Sequence, residues 1–124
     1  DNQFVAGFIG SPAMNFFAGE AGDGGLKVPG LGPDMITGPR SAWGKVTVGI
    51  RPNHLELAAG DSHIVDLSEH LGGVSYHHLK APDGSTIIVE ARDQQTPKPG
   101  SKVGITFDPA QAYFFNAENG LRLR

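Results

Sequence analysis

The sequence predicts an all-β domain: an OB-like small barrel of short antiparallel strands with a short N-terminal helix. Three observations carry that prediction. Turn signals recur at roughly ten-residue spacing through the second half of the chain, with short β-type runs between them. Glycine (18) and proline (9) are frequent among the 124 residues, and both resist long helices. Helix-favouring runs are rare. The length suits a single domain with a single core.

Taken in order, Asp1 or Asn2 caps a short helix carrying Phe4, Val5, Phe8 and Ile9 on one side. Gly10-Ser11-Pro12 stops it, and a strand resumes over 14–17. Residues 19–32 read as a loop or weak hairpin, turning at Gly22-Asp23-Gly24-Gly25 into a short strand over 26–28. Pro29, Pro33 and Pro39 keep the next region extended and irregular. Over 45–51, Val46, Val48 and Ile50 alternate with Thr47 and Gly49, the period-2 pattern of a half-buried strand. Pro52 ends that ladder because it has no N–H to donate.

A strand follows over 62–71, with Val65 and Leu67 alternating against Asp66 and Ser68. Gly72-Gly73 permits a bulge or sharp bend, after which 74–80 continues. Pro82-Asp83-Gly84 is a tight turn into 85–91, the most β-branched stretch of the chain (Thr86, Ile87, Ile88, Val89). Pro97-Lys98-Pro99-Gly100 turns into 102–107, Asp108-Pro109 breaks that strand, 112–115 forms another, and Asn119-Gly120 turns into 121–123.

Composition excludes several function classes. A net charge of −3 and a pI near 5.9 argue against nucleic acid as a partner, because phosphate binding needs a clustered basic surface. Without cysteine there is no disulfide framework and no thiolate metal site, and a reducing compartment is expected. No apolar run approaches the roughly 20 residues that span a bilayer. The chain opens on Asp1 with an apolar cluster close behind, so it reads as a piece of something longer.

Catalytic motifs fail one by one. At Gly44-Lys45, Val46 stands where a phosphate loop needs Ser or Thr for magnesium, Gly38 is one residue too distant, and Lys45 opens a strand. The Gly22-rich turn lacks the flanking strand and helix of a dinucleotide site. There is no G-x-S-x-G elbow. Among His54, His63, His70, His77 and His78 no pair has a chelating spacing: His77 and His78 point to opposite strand faces, as do His63 and His70, and surface placement is expected. Tyr113, Phe114 and Phe115 lack the interleaved basic residues of a nucleic-acid platform and read as core. Arg51, fixed at a strand end by Pro52, is either a rigidly presented contact or one half of an ion pair with a nearby carboxylate. The residues describe a non-catalytic binding or assembly module.

Several blocks resemble a known family. Phe4-Val5-Ala6-Gly7-Phe8-Ile9-Gly10-Ser11-Pro12, then Met14-Asn15-Phe16, is similar to the segment joining the nucleotide-binding and regulatory domains of carbohydrate-importing ABC transporter ATPases, the maltose-transporter ATPase family. Gly49-Ile50-Arg51-Pro52 with His54-Leu55 resembles that family's G-I-R-P-E-H-L block. Val65, Glu69 and Leu71-Gly72 fit V-x-x-x-E-x-L-G, and Phe115 with 116–120 fits F-D-x-x-T-G. Asn53, Asn116 and Asn119 depart from the family's Glu, Asp and Thr.

The resemblance implies a C-terminal regulatory, TOBE-like domain. The segment itself would take no cofactor, ATP and magnesium being bound upstream in the parent chain. Implied partners are a second copy of the ATPase subunit, transmembrane permease subunits reached through the upstream domain, and a regulatory protein, with the whole peripheral on the cytoplasmic face of the inner membrane. Phe4, Val5, Phe8, Ile9, Ser11, Pro12, Met14 and Asn15 would form the domain junction, and residues 1–15 its extent. Arg51, Asn53, His54, Gly72 and Gly73 would form the interaction face. The implied solutes are sugars, polyols or glycerol phosphate. The alternative is a small-ligand domain sensing an oxyanion, with backbone N–H groups at Gly22 to Gly25 or Gly72-Gly73 as donors.

Overall fold

The computed structural model describes residues 13–92 and 96–123. The predicted helix, with Phe4, Val5, Phe8, Ile9, Ser11 and Pro12, lies outside the described residues. Within them the chain forms nine strands: β1 (Asn15–Gly22), β2 (Gly25–Lys27), β3 (Gly44–Ile50), β4 (Leu55–Leu71), β5 (Val74–Lys80), β6 (Thr86–Ala91), β7 (Lys102–Phe107), β8 (Tyr113–Asn116) and β9 (Arg122–Leu123). The prolines at 29, 52 and 109 each open one 3-10 turn, as their fixed φ favours. The all-β antiparallel class predicted from turns and alternation is what forms.

The strands make two sheets, ordered β2-β1-β3-β8-β9 and β6-β5-β4-β7. Between them lies one core of Phe17, Leu26, Val28, Val46, Val48, Ile50, Leu55, Val65, Leu79, Ile87, Val89 and Phe114. All but Val28, which precedes the turn at Pro29–Leu31, are inward positions of strands, so the alternation read along β3 and β6 is the alternation that packs. Phe114 and Phe115 are buried, as expected of core.

β4 holds the second sheet together, and it begins earlier than position 62. Its first part pairs with β7 (Leu55 with Phe107, Leu57 with Ile105), and its last part pairs with β5. The Ala58-Ala59-Gly60-Asp61 stretch disguises this, because the β7 register slips between Ala58 and His63. Gly104 makes the crossing possible: a Cβ there would stand 2.9 Å from the Ala59 carbonyl oxygen.

Three further expectations are corrected. Of the bulge or sharp bend expected at Gly72-Gly73 the bend forms, but as a full reversal and not a continuation, with Leu71 paired to Val74 and Gly72 at φ +65, the left-handed conformation of a tight two-residue hairpin. The bulge sits instead at Asp66, between the Val65–Leu79 and Leu67–His78 pairs. That extra residue turns Leu67 to the outer face, 46% exposed, although the sequence pairs it with buried Val65. It also returns His70 to the face of His63. Third, His63 and His77 are not at the surface but wholly buried.

Candidate functional site: two turns at one end of the sheet

Residues 51–54 form a rigid corner between β3 and β4. Arg51 is extended (φ −68, ψ 146), as the following proline requires. Its carbonyl accepts from His54 N–H at 2.9 Å. The Arg51 guanidinium lies 5.8 Å from the Tyr113 ring centre, and Arg122 lies 4.7 Å from the same ring. Among the described residues Arg51 has no carboxylate within ion-pair range, so the ion-pair alternative gives way to stacking on an aromatic face.

Asn53 is exposed at the tip of this corner and borders two open hollows. One, of about 450 Å³, adds Glu56, Glu90 and Arg92. The other, of about 470 Å³, adds His54, Thr106, Asp108 and Gln111. His54 Nδ1 is buried and has no hydrogen-bond partner among the described residues. Both hollows are open and polar, the first lined by carboxylates and Arg92, the second by the carboxylates of Glu56 and Asp108.

Gly72 and Gly73 form the β4–β5 tip. Ser75, just behind them, pairs with Ala91 at the end of β6, the strand end that shares a hollow with Asn53. The two groups of interaction-face candidates thus flank one end of β6. Behind the tip, Ser68 Oγ hydrogen-bonds His77 Nδ1 and His70 Nδ1 hydrogen-bonds Ser75 Oγ, each at 2.8 Å. On the outer face His78 Nε2 donates to Glu69 Oε1 at 2.7 Å.

Met14 and Asn15 are buried. The Asn15 side chain donates to Ile88 O at 2.8 Å and accepts from Ile88 N–H at 2.9 Å. The amide therefore completes the free edge of β6 as a strand residue would.

Nothing in these arrangements makes a reactive centre. Ser62 and His63 come closest. Gly30 O can only accept, so His63 Nε2 donates to it (2.8 Å), and the Ser62 hydroxyl lies 2.7 Å from His63 Nδ1. That is the relation of a nucleophile to its base, but His63 is fully buried and its far nitrogen meets a carbonyl where a triad needs a carboxylate. The pair ties β4 to the turn at Pro29–Leu31. Asp83 is held below the ordinary carboxylate range, chiefly by the Ser85 hydroxyl, which outweighs the opposing effect of burial, with the Ser85 N–H and nearby His63 adding lesser contributions. Among the described residues no three His, Cys, Asp or Glu side chains gather to hold a metal.

The fold and its polar corners define a class: a small antiparallel β module whose exposed polar groups are presented on turns. Comparison with known proteins sharpens this. The TOBE domain profile matches residues 48–115, from within β3 to β8, and the chain belongs to the TOBE domain family. It is 35% identical to the lactose transport ATP-binding protein LacK of Rhizobium radiobacter, over 100% of this chain and 38% of that protein. It is 33% identical to the sn-glycerol-3-phosphate import ATP-binding protein UgpC of Pectobacterium atrosepticum, over 97% of this chain and 36% of that protein. With the UgpC protein of a Ruegeria species it shares 36% identity, over 97% and 34%. The chain thus spans little more than a third of the curated relatives it matches.

Proposed function

We propose that this chain is the C-terminal regulatory and dimerisation domain of the ATP-binding subunit of a bacterial ABC importer for sugars, polyols or glycerol phosphate, and is non-catalytic by itself. The observation that carries the reading is the TOBE match across β3 to β8 together with relatives named as transport and import ATP-binding proteins. ATP and magnesium belong to a nucleotide-binding domain upstream, which also contacts the permease subunits at the cytoplasmic face of the inner membrane. Met14 and Asn15 stand where the domain meets that neighbour. Residues 51–54 and the Gly72-Gly73 tip belong to the surface that meets a second subunit or a regulatory protein. With the small area available, self-association of the isolated chain lies roughly between micromolar and millimolar. The coding sequence upstream of Asp1 tests the parent function: a phosphate loop followed by an ABC signature is expected, and an unrelated domain there would overturn it.

A further inference from the structure

Each sheet has two edge strands, whose outer N–H and C=O groups would pair with any strand laid beside them. The chain itself deals with three of these edges. At β2, Leu26 and Ile36 exchange both backbone bonds, at 2.8 and 2.9 Å. The β6 edge is closed at Ile88 by the Asn15 amide. β9 is only two residues long. β7 is the exception: it ends the second sheet, runs for six residues, contains no proline, and carries one charge, Lys102, at its start. Among the described residues no group bonds to the side of β7 away from β4.

The ladder tells which backbone groups are open there. Val65 N–H donates to Ser101 O at 2.9 Å, and Val65 O accepts from Gly100 N–H at 2.6 Å. The two groups of a strand residue point to one side and successive residues alternate, so Ile64 turns its groups towards β5, and its other partner Lys102 turns its own away from β4. By the same alternation Gly104 and Thr106 also face outward. The intervening Val103, Ile105 and Phe107 pack against the core yet stay only half-buried. A hollow of about 370 Å³ is lined by Ile105, Thr106 and Phe107 together with Leu31 and Ile36 from the segment after β2. It shares Thr106 and Phe107 with the hollow at His54. Asp34 and Asp61 line the first and Glu56 and Asp108 the second, and no Lys or Arg lines either.

We propose that the free edge of β7 takes up an extended basic segment of a partner protein as an added strand. Main-chain bonds to Lys102, Gly104 and Thr106 hold it. Its inward side chains are apolar and cover the half-buried row of Val103, Ile105 and Phe107, and its remaining side chains are Lys or Arg, matching the four carboxylates. A second copy of this chain is a poor occupant, because its own β7 brings the same carboxylates. The added strand runs up to Asn53 and His54, so it extends the surface of the 51–54 corner. It goes beyond the function proposed above and does not depend on the pairing of ATPase subunits.

The probe is a capped synthetic peptide of alternating Lys and Val, about as long as β7, titrated into the 124-residue chain and followed by amide NMR shifts and hydrogen exchange. Shifts centred on β7 are expected, with slowed exchange at Lys102, Gly104 and Thr106. A Glu/Val peptide, and a Lys/Val peptide N-methylated along one edge, should each bind at least tenfold more weakly. Asp61→Lys with Asp34→Lys should weaken the Lys/Val peptide at least fivefold, with circular dichroism confirming the fold. No shifts at millimolar peptide, or shifts centred away from β7, overturn the site and leave the family-based reading intact. Equal binding of the N-methylated peptide overturns strand addition, and equal binding of the Glu/Val peptide overturns the basic partner.

Discussion

Asn15 offers the sharpest test of how the two sheets are joined. Its amide makes two hydrogen bonds to Ile88 across 73 positions of sequence, at 2.8 and 2.9 Å, and the residue is 9% exposed. Asn15→Ala removes both bonds and leaves the Ile88 N–H and C=O without partners. Each unsatisfied buried group costs about 1–3 kcal/mol, and Ile88 is only half-buried, so a loss of about 2–4 kcal/mol is expected. With an unfolding entropy of about 2.1 cal/mol/K per residue, that corresponds to a Tm lower by about 8–15 °C for a domain of this length. Asn15→Asp keeps an acceptor for the Ile88 N–H but sets a charge against its carbonyl, and should be worse at neutral pH. Urea unfolding with a shared m-value, alongside thermal melts, measures both. If Asn15→Ala stays within about 0.5 kcal/mol of wild type, the side chain does not bridge the sheets in solution.

Four further outcomes are expected. Gly104→Ala should destabilise by about 1–3 kcal/mol in urea titrations, since its Cβ would press on the Ala59 carbonyl, whereas Gly73→Ala, with nothing within 4 Å, should be neutral. Because Asp83 titrates below its unfolded value, it contributes stability above about pH 3.9 that is lost as pH falls through its lower folded pKa. Ser85→Ala should therefore raise the Asp83 pKa in an NMR titration and flatten the acid limb of stability. Calorimetric titration with Mg-ATP should show no binding, and micromolar affinity would contradict the absence of a phosphate loop. Removing residues 1–10 should improve solubility by deleting the Phe4, Val5, Phe8 and Ile9 stripe; unfolding on removal would mean that the stripe belongs to this domain's own core.

Much of this domain is legible in one dimension. Period-2 alternation marks β3, the β-branched run marks β6, and Pro, Gly, Asp and Asn mark the turns, because strand pleat and turn dihedrals are local properties of the chain. The Gly49-Ile50-Arg51-Pro52 block points to the family for a similar reason: a strand stopped by proline before a corner is written in consecutive residues. What only the tertiary structure decided concerns pairing. A single bulge at Asp66 reverses the face of every residue after it in β4, so Leu67 points outward and His70 joins the face of His63. Whether a strand bulges depends on the partner it must match, and residues 62–71 read alone do not contain that partner. The same reason hides the run of β4 through Ala58 to Asp61, which needs Gly104 opposite it. It also hides the burial of His63, which needs the Gly30 carbonyl from another turn. Asn15, a polar residue at a strand's start, acquires its role only when the edge of β6 arrives beside it.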